Sequence, residues 1–267
     1  MAARIEIEGV ELAYEDTGGS GPVVLFVHGL GGSANGWLAQ LEACRELGWR
    51  GVAHDQRGAG RSALPDAPLS VERWAEDACA LLGALEIERA ALVGHSVGCM
   101  TAEQAALRLG DRAWALALCG GMRQWPQEGM PAFEERARLA RSGRMDENAE
   151  AVAGRGLSER CKAEDPRLLG LLREAVASND PEAYARWAEA TARGRMEGLE
   201  RLRCPVLAFC GSEDPVTPPE ASRAIAEAVA DGRTGSVAGA AHWCMLEDPE
   251  ATNETVFAFL REYAPDA

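Results

Sequence analysis

Short apolar runs alternate with longer amphipathic stretches over most of this chain. Residues 22–27, 51–53, 90–93 and 113–119 hold small, β-branched and aliphatic side chains with hardly a polar position among them. Runs of that length without polar alternation read as strands buried on both faces. Between them, 36–47, 71–85 and 97–109 carry apolar residues at helical spacing. Strand, helix and strand in repetition predict parallel βαβ units. Ahead of these, 4–7 and 11–15 meet near Gly9 and predict an antiparallel pair.

After Gly120-Gly121 the rhythm stops. From 122 to 202 no segment reads as a strand. Charged and alanine-rich helical stretches fill it, broken at Asp165-Pro166 and Asp180-Pro181. Strand patterns return at 206–210 and 234–237. The expectation is a core of 1–121 and 203–267, with 122–202 inserted as a helical cap. A cap closes a site, limits bulk water and supplies the walls that select a substrate. Trp125, near its start, is the expected pocket-facing aromatic, while Met130, Phe133, Met145, Tyr184 and Trp187 are expected to pack the cap on the sheet. Arg123 and Arg155 are candidate anchors for an anionic substrate.

The candidate chemistry sits where buried strands end. Gly94-His95-Ser96-Val97-Gly98 follows the 90–93 run and opens onto a helix. A sharp strand-to-helix turn there would expose the Ser96 hydroxyl as a nucleophile, with glycines letting other backbone pass close. Taken alone, this pattern is also that of an ordinary glycine-flanked turn. A second glycine-rich loop, His28-Gly29-Leu30-Gly31-Gly32-Ser33, follows the 22–27 run. The amides of Leu30 and Val97 are the expected pair of oxyanion donors.

A base and an acid complete the set. The chain has four histidines, His28, His54, His95 and His242. His28 is expected to orient the glycine loop, His54 to be structural, and His95 to point away from Ser96. His242, in a loop of small residues after 234–237, is left as the base. Asp214, just past 206–210, is the expected acid that fixes its tautomer. An Asx turn before Pro215 suits the same residue. Glu213 is a rival for the role, and Asp248 reads as an N-cap ahead of Pro249.

The order Ser96, Asp214, His242 resembles that of the α/β-hydrolases, and the likeness runs from about Ile5 to Tyr263. Asp55-Gln56-Arg57-Gly58-Ala59-Gly60-Arg61-Ser62 looks like the D-x-R-G-x-G-x-S turn of the same proteins, with Arg57 expected to bond loop carbonyls. The resemblance implies a mostly parallel, twisted eight-stranded sheet flanked by helices, with the inserted cap. Phe133-Glu134-Glu135-Arg136-Ala137 in the cap and Cys210-Gly211-Ser212-Glu213-Asp214-Pro215-Val216-Thr217-Pro218-Pro219 after it are similar to the 3-oxoadipate enol-lactonase group. The elbow departs from many of those lactonases, which carry Leu before the serine and Gly after the motif, where this chain has His95 and Cys99. The implied reaction is hydrolysis of a small-molecule ester or lactone through an acyl-enzyme, with no metal or organic cofactor required. A carbon–carbon bond hydrolase, a cofactor-free oxygenase or perhydrolase, and a non-catalytic binding protein are the rivals on this fold.

Composition narrows the partners. A chain of 267 residues is long enough for one well-buried core. Its formal net charge of −15 argues against nucleic acid and anionic membrane. No apolar stretch is long enough to span a bilayer, and the start lacks the apolar core of a signal peptide. The eight cysteines form no C-x-x-C, and several lie in apolar runs, so small buried thiols in a reducing cytoplasm are expected. Cys99 and Cys244 lie near the proposed nucleophile and base and could line the pocket. Monomer and dimer both stay open.

Overall fold

All side chains of β5 (Ala90–His95) and β6 (Ala113–Cys119) are buried, as runs without polar alternation require. They are central strands of the sheet in the computed structural model, which describes residues 2–265. The other strands are β1 (Ala3–Ile7), β2 (Val10–Asp16), β3 (Val23–Val27), β4 (Arg50–His54), β7 (Val206–Gly211) and β8 (Gly232–Val237). The eight lie side by side in the order β1-β2-β4-β3-β5-β6-β7-β8. β2 pairs antiparallel with both β1 and β4, and every later pairing is parallel. Chain order reverses around β3, so the loops after β3 and β5 open side by side at one edge. α/β sheets bind their ligands at such edges.

Helices α1 (Leu38–Glu46), α2 (Val71–Ala84) and α3 (Val97–Leu109) fill the connections between parallel strands. Between β6 and β7 come only helices and turns: α4 (Met130–Arg141), α5 (Met145–Gly156), α6 (Glu159–Glu164), α7 (Pro166–Ala177) and α8 (Pro181–Arg193). This is the inserted cap. Its breaks are capping signals. Asp165 accepts from the amides of Arg167 and Leu168, Asp180 accepts from that of Ala183, and a proline follows each at the first helical position. Then α9 (Pro219–Ala226), α10 (Cys244–Glu247) and α11 (Pro249–Tyr263) complete the core. Asp248 caps α11 through the Ala251 amide, as its place before Pro249 predicts.

Cap and core share one apolar interior. Trp187 of α8 stacks on Trp74 of α2 at 3.7 Å between ring centroids, and its indole N–H donates to the Arg57 carbonyl at 3.0 Å. Arg57 itself differs from expectation. Its guanidinium forms a two-pronged ion pair with Asp77 of α2 rather than bonding loop carbonyls. Burial explains the choice, because both side chains are almost fully enclosed and a guanidinium there needs a counter-charge. The rest of that turn is held by Asp55, which accepts from the amides of Ala34 and Arg61 and from the Arg61 side chain.

Two buried acids yield stability tests. Removing one partner of an enclosed ion pair strands the other, so Asp77→Asn should lower unfolding stability by about 3 kcal/mol in urea titrations. Glu103 of α3 is fully buried and accepts from the Gly198 amide at 2.9 Å, where the chain returns from cap to core. Burial pushes its carboxyl up from 4.5 to about 7, against the hydrogen bonds from Gln104 and Gly198. The folded chain therefore holds a proton that the unfolded chain has lost. Its contribution is complete below 4.5 and is lost as pH rises through 7. Glu103→Gln should flatten the decline in stability between roughly pH 5 and pH 8 by about 1–3 kcal/mol. An equal decline in both proteins would assign it to other groups.

Candidate active site

Ser96 stands at the end of β5 with φ 56° and ψ −125°, a left-handed conformation that a side chain adopts only at a cost of roughly 1–3 kcal/mol. Its surroundings force the turn. The Ser96 amide donates to Cys119 O at 2.9 Å, and Ser96 O accepts from the Cys99 amide at 2.9 Å. A Cβ on Gly98 would lie 2.4 Å from Val27 O, and one on Gly94 2.5 Å from Gly98 O. Neither place has room for one, so the two glycines flanking the elbow are steric requirements.

The glycine loop after β3 packs on the same turn. A Cβ on Gly29 would come within 2.9 Å of both His95 O and Ser96 Cβ. His28 braces the loop. The Gln56 amide donates to its Nε2 at 3.0 Å, so its proton sits on Nδ1 and is donated to Gly29 O at 2.8 Å. Among the described residues, neither the Leu30 nor the Val97 amide has a hydrogen-bond partner within the protein. Val97 is the first residue of α3, where the helix leaves its amides free and its dipole favours negative charge.

Asp214 and His242 come together at the ends of β7 and β8. His242 Nδ1 lies 2.8 Å from Asp214 Oδ2, and both side chains are buried. Donation from Nδ1 leaves the Nε2 lone pair free. The other carboxylate oxygen accepts from the amides of Val216 and Thr217 at 2.8 and 2.9 Å, so the Asx turn and the histidine contact coexist on one side chain. Burial alone would raise the Asp214 carboxyl. The charge and hydrogen bond of His242, with the bonds from Thr217, outweigh it and hold the group below its usual value. The Thr217 hydroxyl donates to Oδ2 at 2.8 Å and lies 3.2 Å from His242 Nδ1. Gly120 makes room for this cluster, since a Cβ there would sit 3.1 Å from the His242 ring. Glu213 is exposed beside it.

The remaining histidines are held neutral. Burial depresses His28, and it takes His54 and His95 down to about 3. His95 does not turn away from the site as its position in the elbow suggested. Its Nε2–H donates to the His242 carbonyl at 3.0 Å, and its ring lies 4.8 Å from that of His242. It ties the elbow to the loop that carries His242.

A cavity of about 140 Å³ opens over this group. Ser96, His242, Leu30 and His95 form its floor, with Trp243 and Val216 beside them. Trp125, Phe133, Arg136, Val152, Arg155 and Thr191 of the cap form its walls. Trp125 is therefore where its sequence position puts it. Arg123 is not. It is exposed in a separate shallow cleft with Arg195 and Glu197, because its backbone is committed to the cap's exit segment through the Met196 amide at 2.7 Å. Cys99 and Cys244 are wholly buried and do not line the cavity. Cys99 donates to the Gly94 and Cys119 carbonyls, and Cys244 Sγ is 3.3 Å from Cys119 Sγ.

Glu247 has a part that its sequence position does not reveal. Its carboxylate accepts from the Ala241 amide at 2.9 Å and from the Ser158 hydroxyl at 2.6 Å, joining the His242 loop to the start of α6. The only signal in the chain is a Glu shortly after the histidine, too common to mark a role. The Trp243 amide donates to Gly156 O at 3.1 Å, and Arg155 donates to Pro215 O at 3.2 Å. The end of α5 thus touches both the Asp214 and the His242 loops.

Known proteins share this fold over nearly the whole chain. A family model for the alpha/beta hydrolase fold covers residues 22–249. The 3-oxoadipate enol-lactonase 2 of Acinetobacter baylyi is 27% identical over 243 residues, 91% of this chain and 90% of its own length. The crystal structure of the enol-lactonase from Burkholderia xenovorans LB400 superposes with a TM-score of 0.91 at 28% identity, covering 97% of this chain and 100% of that one. A malate-bound thermophilic esterase from Thermogutta terrifontis superposes at 0.90, with 28% identity over 99% of this chain and 100% of its own. Among the described residues no helix is long and apolar enough to cross a membrane. The chain is a member of the α/β-hydrolase enzyme family, related to its esterases and lactonases.

Proposed function

We propose that the chain is a serine hydrolase that cleaves a carboxylic ester or lactone of a small molecule, with an enol-lactone such as 3-oxoadipate enol-lactone as its nearest candidate. The observation that carries this reading is the 2.8 Å contact of His242 Nδ1 with Asp214 Oδ2, on a histidine that lines one cavity with Ser96. In the proposed reaction His242 Nε2 takes the Ser96 proton as Oγ attacks the carbonyl carbon. The Leu30 and Val97 amides stabilise the oxyanion, and both are free of other partners among the described residues. His242 then protonates the departing alkoxide or enolate. Water, deprotonated by His242, releases the acid and restores Ser96. Asp214 keeps the imidazole in the required tautomer and offsets its charge.

In this reading 1–121 and 203–267 form the catalytic core and 122–202 its cap. The enol-lactone assignment rests on two relatives that bear that name. The mostly apolar lining of the cavity, with Leu30, Trp125, Phe133, Val152 and Val216 among its residues, also suits a compact carbon skeleton. The free thiols, seven of the eight buried, suit a reducing cytoplasm.

Turnover of lactones, short esters and ring-cleavage dienoates should be measured with Ser96→Ala as the blank. Ester or lactone hydrolysis should fall at least ~10³-fold in Ser96→Ala. Asp214→Asn should lose ~10²–10⁴-fold through the wrong tautomer, with Glu213→Gln near wild type. Wild-type turnover by a folded Ser96→Ala protein would remove the nucleophile. Loss on Glu213→Gln in place of Asp214→Asn would reassign the acid. Preference for dienoates would move the reading to carbon–carbon cleavage.

A further inference from the structure

Two cap helices wall the cavity with the same pattern. α4 contributes Ala132, Phe133 and Arg136, and α5 contributes Ala151, Val152 and Arg155. In each case an alanine, the apolar residue next to it and an arginine one turn on share a helix face. Each helix thereby brings one guanidinium to the same small space.

Among the described residues neither guanidinium has a counter-charge within ion-pair distance. Most of the described arginines pair with a carboxylate, and these two belong to the minority that do not. Nearby, Arg138 pairs with Glu135, Arg144 with Glu147 and Arg173 with Glu150. Among the described residues no carboxylate pairs with Arg136 or Arg155, and no Asp or Glu lines the cavity. The helices withhold the usual partners, because Arg136 has Ala132 and Ala140 one turn to either side, and Arg155 has Ala151 one turn before it. Arg136 lies over the Phe133 ring at 5.5 Å, a contact that uses a face of the guanidinium and leaves its N–H groups available. Arg155 spends one N–H on Pro215 O, leaving the others of its five.

We propose that Arg136 and Arg155 form an anion subsite, and that the molecule hydrolysed at Ser96 carries a free carboxylate besides its ester or lactone group. This rests on the hydrolase reading above and names the residues that would hold the free carboxylate, which a lactone of 3-oxoadipate carries and a simple ester does not. A carboxylate fits the guanidinium fork through two parallel N–H···O bonds. In a chain of net charge −15 a locally positive cavity also draws in an anion that the rest of the surface repels. Because Arg155 bonds the Asp214 loop, a bound carboxylate is registered against the acid and base loops.

The test compares the monomethyl and dimethyl esters of glutaric acid, which differ by one charge. Wild type should prefer the anionic monoester by ~10-fold or more in kcat/KM, mainly through KM and less so at high salt. Arg136→Gln and Arg155→Gln should each reduce that preference by ~10-fold. Arg123→Gln, at an exposed arginine outside the cavity, should leave it intact. Glutarate binding to the Ser96→Ala protein, read by calorimetry, should vanish when both arginines are glutamine. Equal use of the two esters by wild type, or a preference that survives both substitutions, would overturn the subsite. So would the absence of glutarate binding, or tighter binding of inorganic phosphate. Undiminished hydrolysis of both esters by Ser96→Ala would instead sink the hydrolase reading and leave the binding result to stand separately.

Discussion

The backbone of Ser96 is the constraint on which the site depends. A non-glycine residue with φ 56° is held there only because its neighbours leave it no other path. Val27 and His28 carbonyls press against Gly98, the Gly98 carbonyl presses against Gly94, and Gly29 lies against the elbow itself. β3 and β5 are neighbours in the sheet, which brings these backbones into contact. The parallel sheet thus serves the site directly: the pairing that buries Leu25 and Leu92 also sets the glycine loop against the serine.

Around that fixed point the other groups are tied by hydrogen bonds that cross between strands and cap. His95 binds the elbow to the His242 backbone. Asp214 divides its two oxygens between its own turn and the imidazole. Glu247 and the end of α5 then join the His242 and Asp214 loops to the cap. A cap connected in this way is part of the geometry of the site as well as a cover over it. Displacement of α5 would be felt at both loops. Preorganisation of this kind places polar groups before reaction, so the cost of ordering them is met during folding.

Much of this was legible in the chain because it follows from local rules. Buried parallel strands announce themselves by continuous apolar runs, and β3, β5, β6 and β7 were read within a residue or two. Asp214 follows the buried strand β7, where a titratable side chain is conspicuous, whereas His242 follows the largely exposed edge strand β8 and stands out by elimination among four histidines; the Asp-Pro pairs mark helix starts. The harder parts depend on distant packing. Arg57 looks like a loop residue until α2 supplies Asp77. Arg123 and Arg155 look alike in sequence, yet a backbone bond to Met196 commits one to the outer surface, while the other ends a helix over the cavity. Arg136 is one charge among many on an Arg- and Glu-rich helix, and only the packing of α4 over the cavity sets it apart. His95 was expected to turn away because neighbouring side chains diverge on a strand. The tight elbow brings it back to the His242 loop.

The most direct measurement is covalent labelling by a fluorophosphonate, followed by mass spectrometry of the peptides. Such a reagent loses fluoride and forms a stable phosphonate ester with a serine activated by a neighbouring base and an oxyanion site. A single adduct is expected on the peptide containing Ser96, formed in step with loss of hydrolysis and nearly absent in His242→Ala. Hydrolysis that persists with Ser96 fully labelled, or that is lost with the adduct elsewhere, would contradict it.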